Sequence, residues 1–134
     1  MPFEYTGVRV HDLERAKRFF TEGLGLRVGP AGRMAAGGLW QELFDPETKA
    51  ILELNYYPGD PPYRLGDELD HLGFRVTDLD SVVERLVRLG ARIEIPPFEE
   101  GEMRLVFLSS PDGLWVELYE RWPGETPPSS RPRS

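Results

Sequence analysis

Two carboxylates, an imidazole and a phenol stand at repeated positions of this chain, and together they could hold a metal ion. Tyr5-Thr6-Gly7-Val8-Arg9-Val10-His11-Asp12-Leu13 recurs as His71-Leu72-Gly73-Phe74-Arg75-Val76-Thr77-Asp78-Leu79, an offset of 66. Ile51-Leu52-Glu53-Leu54 is echoed by Trp115-Val116-Glu117-Leu118, an offset of 64. Self-similarity of this kind marks two half-domains of one design. It pairs Tyr5 with His71 and Glu53 with Glu117, and a pseudo-twofold arrangement of the halves would turn all four toward one axis. With no cysteine in the chain, a metal there would be held by nitrogen and oxygen alone. Divalent Ni, Mn, Co, Fe or Zn suits that donor set, and its identity stays open. Such an ion polarises a carbonyl oxygen, and a glutamate beside it can take a proton from carbon.

The elements that must position these residues follow from periodicity. Residues 5 to 10 alternate, with Thr6, Val8 and Val10 on one side and Tyr5, Gly7 and Arg9 on the other. Leu72, Phe74 and Val76 against His71, Gly73 and Arg75 copy the pattern. Asp12 and Asp78 stand as helix N-caps. The second helix reads Leu79, Val82, Val83, Leu86 and Leu89 before Gly90, and the first runs from Leu13 to the Gly23–Gly25 region. Shorter strands are expected at 27–28, 40–44 and 50–57, then at 92–95, 103–109 and 114–120. Asp45-Pro46-Glu47-Thr48 and Ser110-Pro111-Asp112-Gly113 have hairpin-turn chemistry.

Each half is therefore β-α-β-β-β, and the fold class is α+β: two βαβββ repeats forming an eight-stranded, cup-shaped mixed sheet with helices outside. One domain over 1–122 is expected, with repeats at about 3–57 and 69–120 and a mobile Pro/Ser/Arg tail at 123–134. Alternation puts Ile51, Glu53 and Asn55 on the face opposite Leu52 and Leu54. Likewise Trp115, Glu117 and Tyr119 oppose Val116 and Leu118. Gly7 and Gly73, lacking side chains, leave room beside Tyr5 and His71 for a metal or substrate atom.

A net charge of −7 and the absence of a Lys/Arg run argue against nucleic acid or an anionic membrane as partner. No apolar stretch reaches a membrane span, no secretory signal begins the chain, and a cytoplasmic protein is the default. Fourteen Arg against two Lys, single Asn and Gln residues and frequent Pro fit a thermophile or a GC-rich genome.

At these residues the chain resembles the vicinal oxygen chelate superfamily, which includes glyoxalase I, methylmalonyl-CoA epimerase, extradiol dioxygenases and the bleomycin and fosfomycin resistance proteins. The resemblance spans about 3–120. It is carried by Val8-Arg9-Val10-x-Asp12-Leu13-Glu14-Arg15-Ala16, Gly23-Leu24-Gly25-Leu26, Leu52-Glu53-Leu54, Asp70-His71-Leu72-Gly73-Phe74-Arg75-Val76 and Ser110-Pro111-Asp112-Gly113-Leu114-Trp115-Val116-Glu117-Leu118. The local wording is similar to bacterial glyoxalase I. That resemblance implies metal ligands at Tyr5, Glu53, His71 and Glu117, with Glu117 or Glu53 shuttling the proton. It implies an anion-holding role for Arg9 and a homodimer, and Arg75, Asn55, Tyr57 and Trp115 are the further candidate substrate contacts of this chain.

The pattern departs at Tyr5, where glyoxalase I carries His or Gln; a neutral phenol is a poor ligand unless the metal lowers its pKa from about 10. Asn55 and Tyr57 replace residues that in that family help hold the glutathione peptide.

Blander roles stand beside these. Glu53 and Glu117 could form salt bridges to Arg9 or Arg75, since two buried carboxylates need something positive facing them. Tyr5, Trp115 and Tyr57 could simply line or pack, His11 lies outside the cup, and Glu99-Glu100-x-Glu102 reads as a solvated loop. The implied function is a glyoxalase-I-like, metal-dependent lyase or isomerase acting on a small α-oxo compound or thiol hemithioacetal. The alternative is a non-catalytic, antibiotic-sequestering binding protein of the same fold.

Overall fold

The computed structural model describes residues 1–66 and 68–121 and forms two compact units, Met1–Gly66 and Asp67–Ser134. The 123–134 tail lies outside the described residues.

In the first unit, β1 (Thr6–Arg9) is followed by α1 (Leu13–Arg18), which passes into a π-helical turn at Phe19–Gly23. Three strands follow: β2 (Arg27–Arg33), β3 (Leu39–Phe44) and β4 (Ile51–Tyr56). The sheet order is β1-β4-β3-β2, with β1 parallel to β4 and the other pairs antiparallel. Asp12 caps α1 as expected, its carboxylate accepting from the Arg15 N–H at 3.0 Å.

The helix does not continue regularly to Gly23. The wider π turn, with the Thr21 hydroxyl donating to the Lys17 carbonyl at 2.8 Å, lets the adjacent Phe19 and Phe20 both enter the core. Their rings meet edge to face at 5.1 Å. Val8, Leu43, Leu52 and Leu54 complete that core from the sheet. Gln41 is buried among them, and its amide donates to the Gly29, Pro30 and Glu42 carbonyls, which secures the bulge between Val28 and Ala31.

The second unit repeats the plan. Its elements are β5 (Leu72–Arg75), α2 (Leu79–Arg88), β6 (Arg92–Glu100), β7 (Met103–Ser109) and β8 (Trp115–Arg121), in sheet order β5-β8-β7-β6. β5 is parallel to β8 and the rest antiparallel. Asp78 caps α2, accepting from the Ser81 N–H. Leu79, Val82, Val83 and Leu86 of the helix are buried, as are Val106, Leu108, Val116 and Leu118 of the sheet. The two four-stranded mixed sheets with one helix each are the βαβββ repeats the periodicity predicts.

Both edge strands are longer than expected. β2 runs on to Arg33 and β6 to Glu100, so Glu99 and Glu100 are strand residues and not loop. The sequence reading stops at Gly29-Pro30 and Pro96-Pro97, because proline cannot donate to a ladder. Edge strands tolerate that loss, and all three prolines fall at register shifts where pairing is already interrupted. Among the described residues no helix is long and apolar enough to cross a membrane.

Candidate metal centre

Register makes the internal repeat a geometric one. Glu53 on β4 lies across from Gly7 of β1, and Glu117 on β8 across from Gly73 of β5. The neighbours Leu52, Leu54, Val116 and Leu118 are buried on the opposite face, so alternation turns both glutamates away from the helices.

In the second unit, His71 immediately precedes β5, and its Nε2 lies 2.8 Å from Glu117 Oε2. Its other ring nitrogen, Nδ1, is 2.6 Å from Asp70 Oδ2. A neutral imidazole has one N–H and one lone pair. With that single proton on either nitrogen, the other nitrogen presents its lone pair to a carboxylate oxygen. That close approach of two acceptors needs a second proton or a cation to hold it. The imidazole and Glu117 are both mostly covered while Asp70 is exposed, an arrangement in which an outer carboxylate fixes the ring and an inner one shares its target. Adding a Cβ at Gly73 would meet nothing within 4 Å, so the space beside Glu117 is open as expected.

In the first unit Tyr5 precedes β1 and is about half exposed. Gly7 differs from Gly73: a Cβ there would come within 3.0 Å of the Asn55 amide nitrogen, so Asn55 fills part of the expected room. Asn55 points back at the sheet, toward the Val8 and Glu53 carbonyls at 3.5 and 3.4 Å. Glu42 on β3 lies directly across from Glu53, putting two carboxylates side by side on one face. Among the described residues neither has a cationic partner.

Within each unit, no salt bridge among the described residues joins Glu53 or Glu117 to an arginine. Glu117 pairs with His71. Arg9 turns to Asp60 at 3.3 Å, with its guanidinium 4.6 Å from the Tyr57 ring centroid and 5.6 Å from that of Tyr63. His11 stacks on Tyr63 at 4.0 Å. Arg75 sits at the end of β5 across from Tyr119. Trp115 opens β8, about a third exposed, with its ring 6.1 Å from that of Phe107. Phe107 in turn meets His71 edge to face at 5.2 Å.

Sequence reasoning missed Asp70, Glu42 and Phe107. Asp70 was visible only as a neighbour of His71. Glu42 has no counterpart in the second repeat, since Phe107 occupies the place across from Glu117 that Glu42 occupies across from Glu53.

Within either unit, no three His, Asp or Glu side chains among the described residues are grouped so as to hold a metal. Each unit presents two of the four predicted ligands. Their chemistry, an imidazole nitrogen facing a carboxylate and a second carboxylate without a cation, suits a hard or borderline divalent ion.

A paired-strand fold with this internal repeat defines a class. The family model described as "Glyoxalase/Bleomycin resistance protein/Dioxygenase superfamily" matches residues 3–118, and the chain belongs to that family. The lactoylglutathione lyase of Salmonella typhimurium is 29% identical over 124 residues, covering 87% of this chain and 90% of that protein. "Probable lactoylglutathione lyase, chloroplastic" of Arabidopsis thaliana is 31% identical over 127 residues, and 35% of its length is covered by 89% of this chain. This chain thus spans about a third of that relative. A solved structure of the trypanothione-dependent glyoxalase I of Leishmania major is 26% identical with a TM-score of 0.74, over 90% of this chain and 86% of that one.

Proposed function

We propose that the protein is a glyoxalase-I-like, metal-dependent lyase or isomerase acting on a small α-oxo compound or its thiol hemithioacetal. One divalent ion (Ni, Mn, Co, Fe or Zn) would be held by Glu53, His71 and Glu117, with Tyr5 as the fourth group. The observation that carries the reading is the His71–Glu117 contact at 2.8 Å, with Asp70 engaging the far ring nitrogen. The matching register of Gly7 with Glu53 and Gly73 with Glu117 supports extending it to both units.

A bound divalent ion supplies Lewis acidity that makes the C–H beside a carbonyl more acidic. The chain's own residues do the rest. Glu117 or Glu53 takes the proton from one carbon and returns it to the neighbouring one, so the net change is an isomerisation. The half-buried position of Glu117 limits water at that step. Arg75 and Arg9 would hold an anionic group. For Arg9 this requires the substrate to compete with Asp60. Asn55, Tyr57 and Trp115 would line the substrate. A homodimer accompanies this reading and is tested by sedimentation.

The test is elemental analysis of untagged, chelator-free protein, with Glu53→Gln and His71→Ala beside it. About one equivalent of divalent metal in the wild type, lost in both variants, is expected. Turnover of methylglyoxal hemithioacetals over a panel of thiols is expected to follow metal content. Metal-loaded protein with no turnover or proton exchange across hemithioacetals and 2-oxo acids would sink the catalytic reading. A wild type that takes up none of the added metals would favour the antibiotic-sequestering alternative.

A further inference from the structure

The second unit carries an apolar shelf beside its half of the proposed centre. Phe107 lies directly across from Glu117, and Trp115 shares the Glu117 face by alternation along β8. On the other side of Phe107, Ile95 is its register partner on β6, and the Phe98 ring is near-parallel to that of Phe107 at 6.5 Å. Ile95, Phe98 and Trp115 remain 39%, 36% and 37% exposed, while Phe107 packs edge-on against the His71 ring at 5.2 Å.

Solvent-facing rings cost free energy, and a contiguous apolar patch next to a polar pair is the usual composition of a ligand site. The bulges of β6 around Pro96 and Pro97 turn Ile95 and Phe98 toward the Phe107 side; unbroken alternation would put residues three apart on opposite faces.

We infer that this shelf selects the substrate's carbon substituent, and that the class it takes is an α-oxo compound bearing an aryl group rather than a methyl group. The inference rests on the α-oxo reading above. Trp115 and Phe98 are the specificity-determining residues: their rings flank that of Phe107, at 6.1 and 6.5 Å, and extend one apolar surface along which a flat substituent would lie with its oxo carbon toward His71 and Glu117. An aryl ring offers that area in one rigid piece, whereas a methyl group leaves the shelf wet.

The test is calorimetric titration of the full-length protein, with and without added divalent metal, using pyruvate and benzoylformate. These two 2-oxo acids differ only in methyl against phenyl. Benzoylformate is expected to bind about tenfold or more tightly than pyruvate. Phe98→Ala and Trp115→Ala should each shrink that ratio and Trp115→Phe should keep it, with circular dichroism confirming that each variant is folded. Equal affinities in the wild type, or a ratio unchanged in the Phe98→Ala/Trp115→Ala double variant, overturns the inference. Loss of a dimer in that double variant with the ratio intact also overturns it, because the shelf would then be a contact between copies.

Failure of the parent reading looks different. A phenyl preference that depends on Trp115 but ignores added metal leaves the shelf and removes the metal centre. Metal-enhanced binding of both acids without preference does the reverse.

Discussion

Asp70 decides how His71 can act. Its Oδ2 lies 2.6 Å from Nδ1 and holds the ring with Nε2 aimed at Glu117, so its loss should free the ring to rotate. Asp70→Asn is expected to weaken divalent metal binding by about tenfold, the low end for such partners because the carboxylate is largely exposed. Chelator competition measures it, and an unchanged affinity would show that Asp70 does not orient the ligand. Tyr5 is the other residue to probe. If it lies in the coordination shell, Tyr5→His should tighten metal binding by about an order of magnitude, because an imidazole lone pair needs no deprotonation of a phenol. If Tyr5→His and Tyr5→Phe both leave affinity alone, Tyr5 is lining.

Turns and caps set where the strands deliver these side chains. Gly90 ends α2 at φ +100°, and a Cβ there would also meet Pro111 Cγ at 3.1 Å, in the turn that leads into β8. Gly90→Ala combines left-handed strain with that contact and should cost about 1–2 kcal/mol or more in urea unfolding. A loss of under a few tenths would mean the turn relaxes freely.

The hairpin between β3 and β4 depends on Asp45, whose carboxylate accepts from the Thr48 and Glu47 N–H groups at 2.8 Å each. The Thr48 N–H bond is the main reason its pKa is held below the ordinary value of 3.8; partial burial opposes it, and the Glu47 bond adds to the lowering. A depressed folded-state pKa stabilises the native state above the unfolded value. That contribution fades as pH falls through the folded-state pKa. Asp45→Ala should therefore cost about 1 kcal/mol at neutral pH, kept modest by solvent, and the gap to wild type should narrow below pH 3.8. A gap that is constant with pH would remove the carboxylate from the account.

At the scale of the whole molecule, the question is whether the two half-sites serve one ion. Metal that binds the native state alone raises stability by about 2.7 kcal/mol at a hundredfold excess over its Kd. Thermal unfolding with added metal should show a single upward shift in the wild type and none in either Glu53→Gln or His71→Ala, although the two substitutions fall in different units. If each variant keeps half the metal and part of the shift, the units bind separately. The net charge of −7 adds a background attraction for any cation, so the comparison needs physiological ionic strength.

The strand-helix-strand plan, both N-caps and the turn of Glu53 and Glu117 away from the buried face of each sheet were legible in the sequence. Leu52, Leu54, Val116 and Leu118 are buried where period two puts them, and Asp12 and Asp78 cap where a short acceptor precedes an apolar helical run. Those features are local, fixed by side-chain alternation and by backbone groups a few residues away. Partner choice was not legible. Glu117 meets His71, and Arg9 turns to Asp60 and the tyrosines, through contacts between segments far apart in the chain, while Glu42 stands beside Glu53 because of the particular register of the β3–β4 hairpin. The extended edge strands are a tertiary result too, since prolines that would end a central strand are tolerated where one side of the ladder is unpaired. Short-range sterics and periodicity thus determine which face each side chain takes, and only the paired sheet decides which side chains meet there.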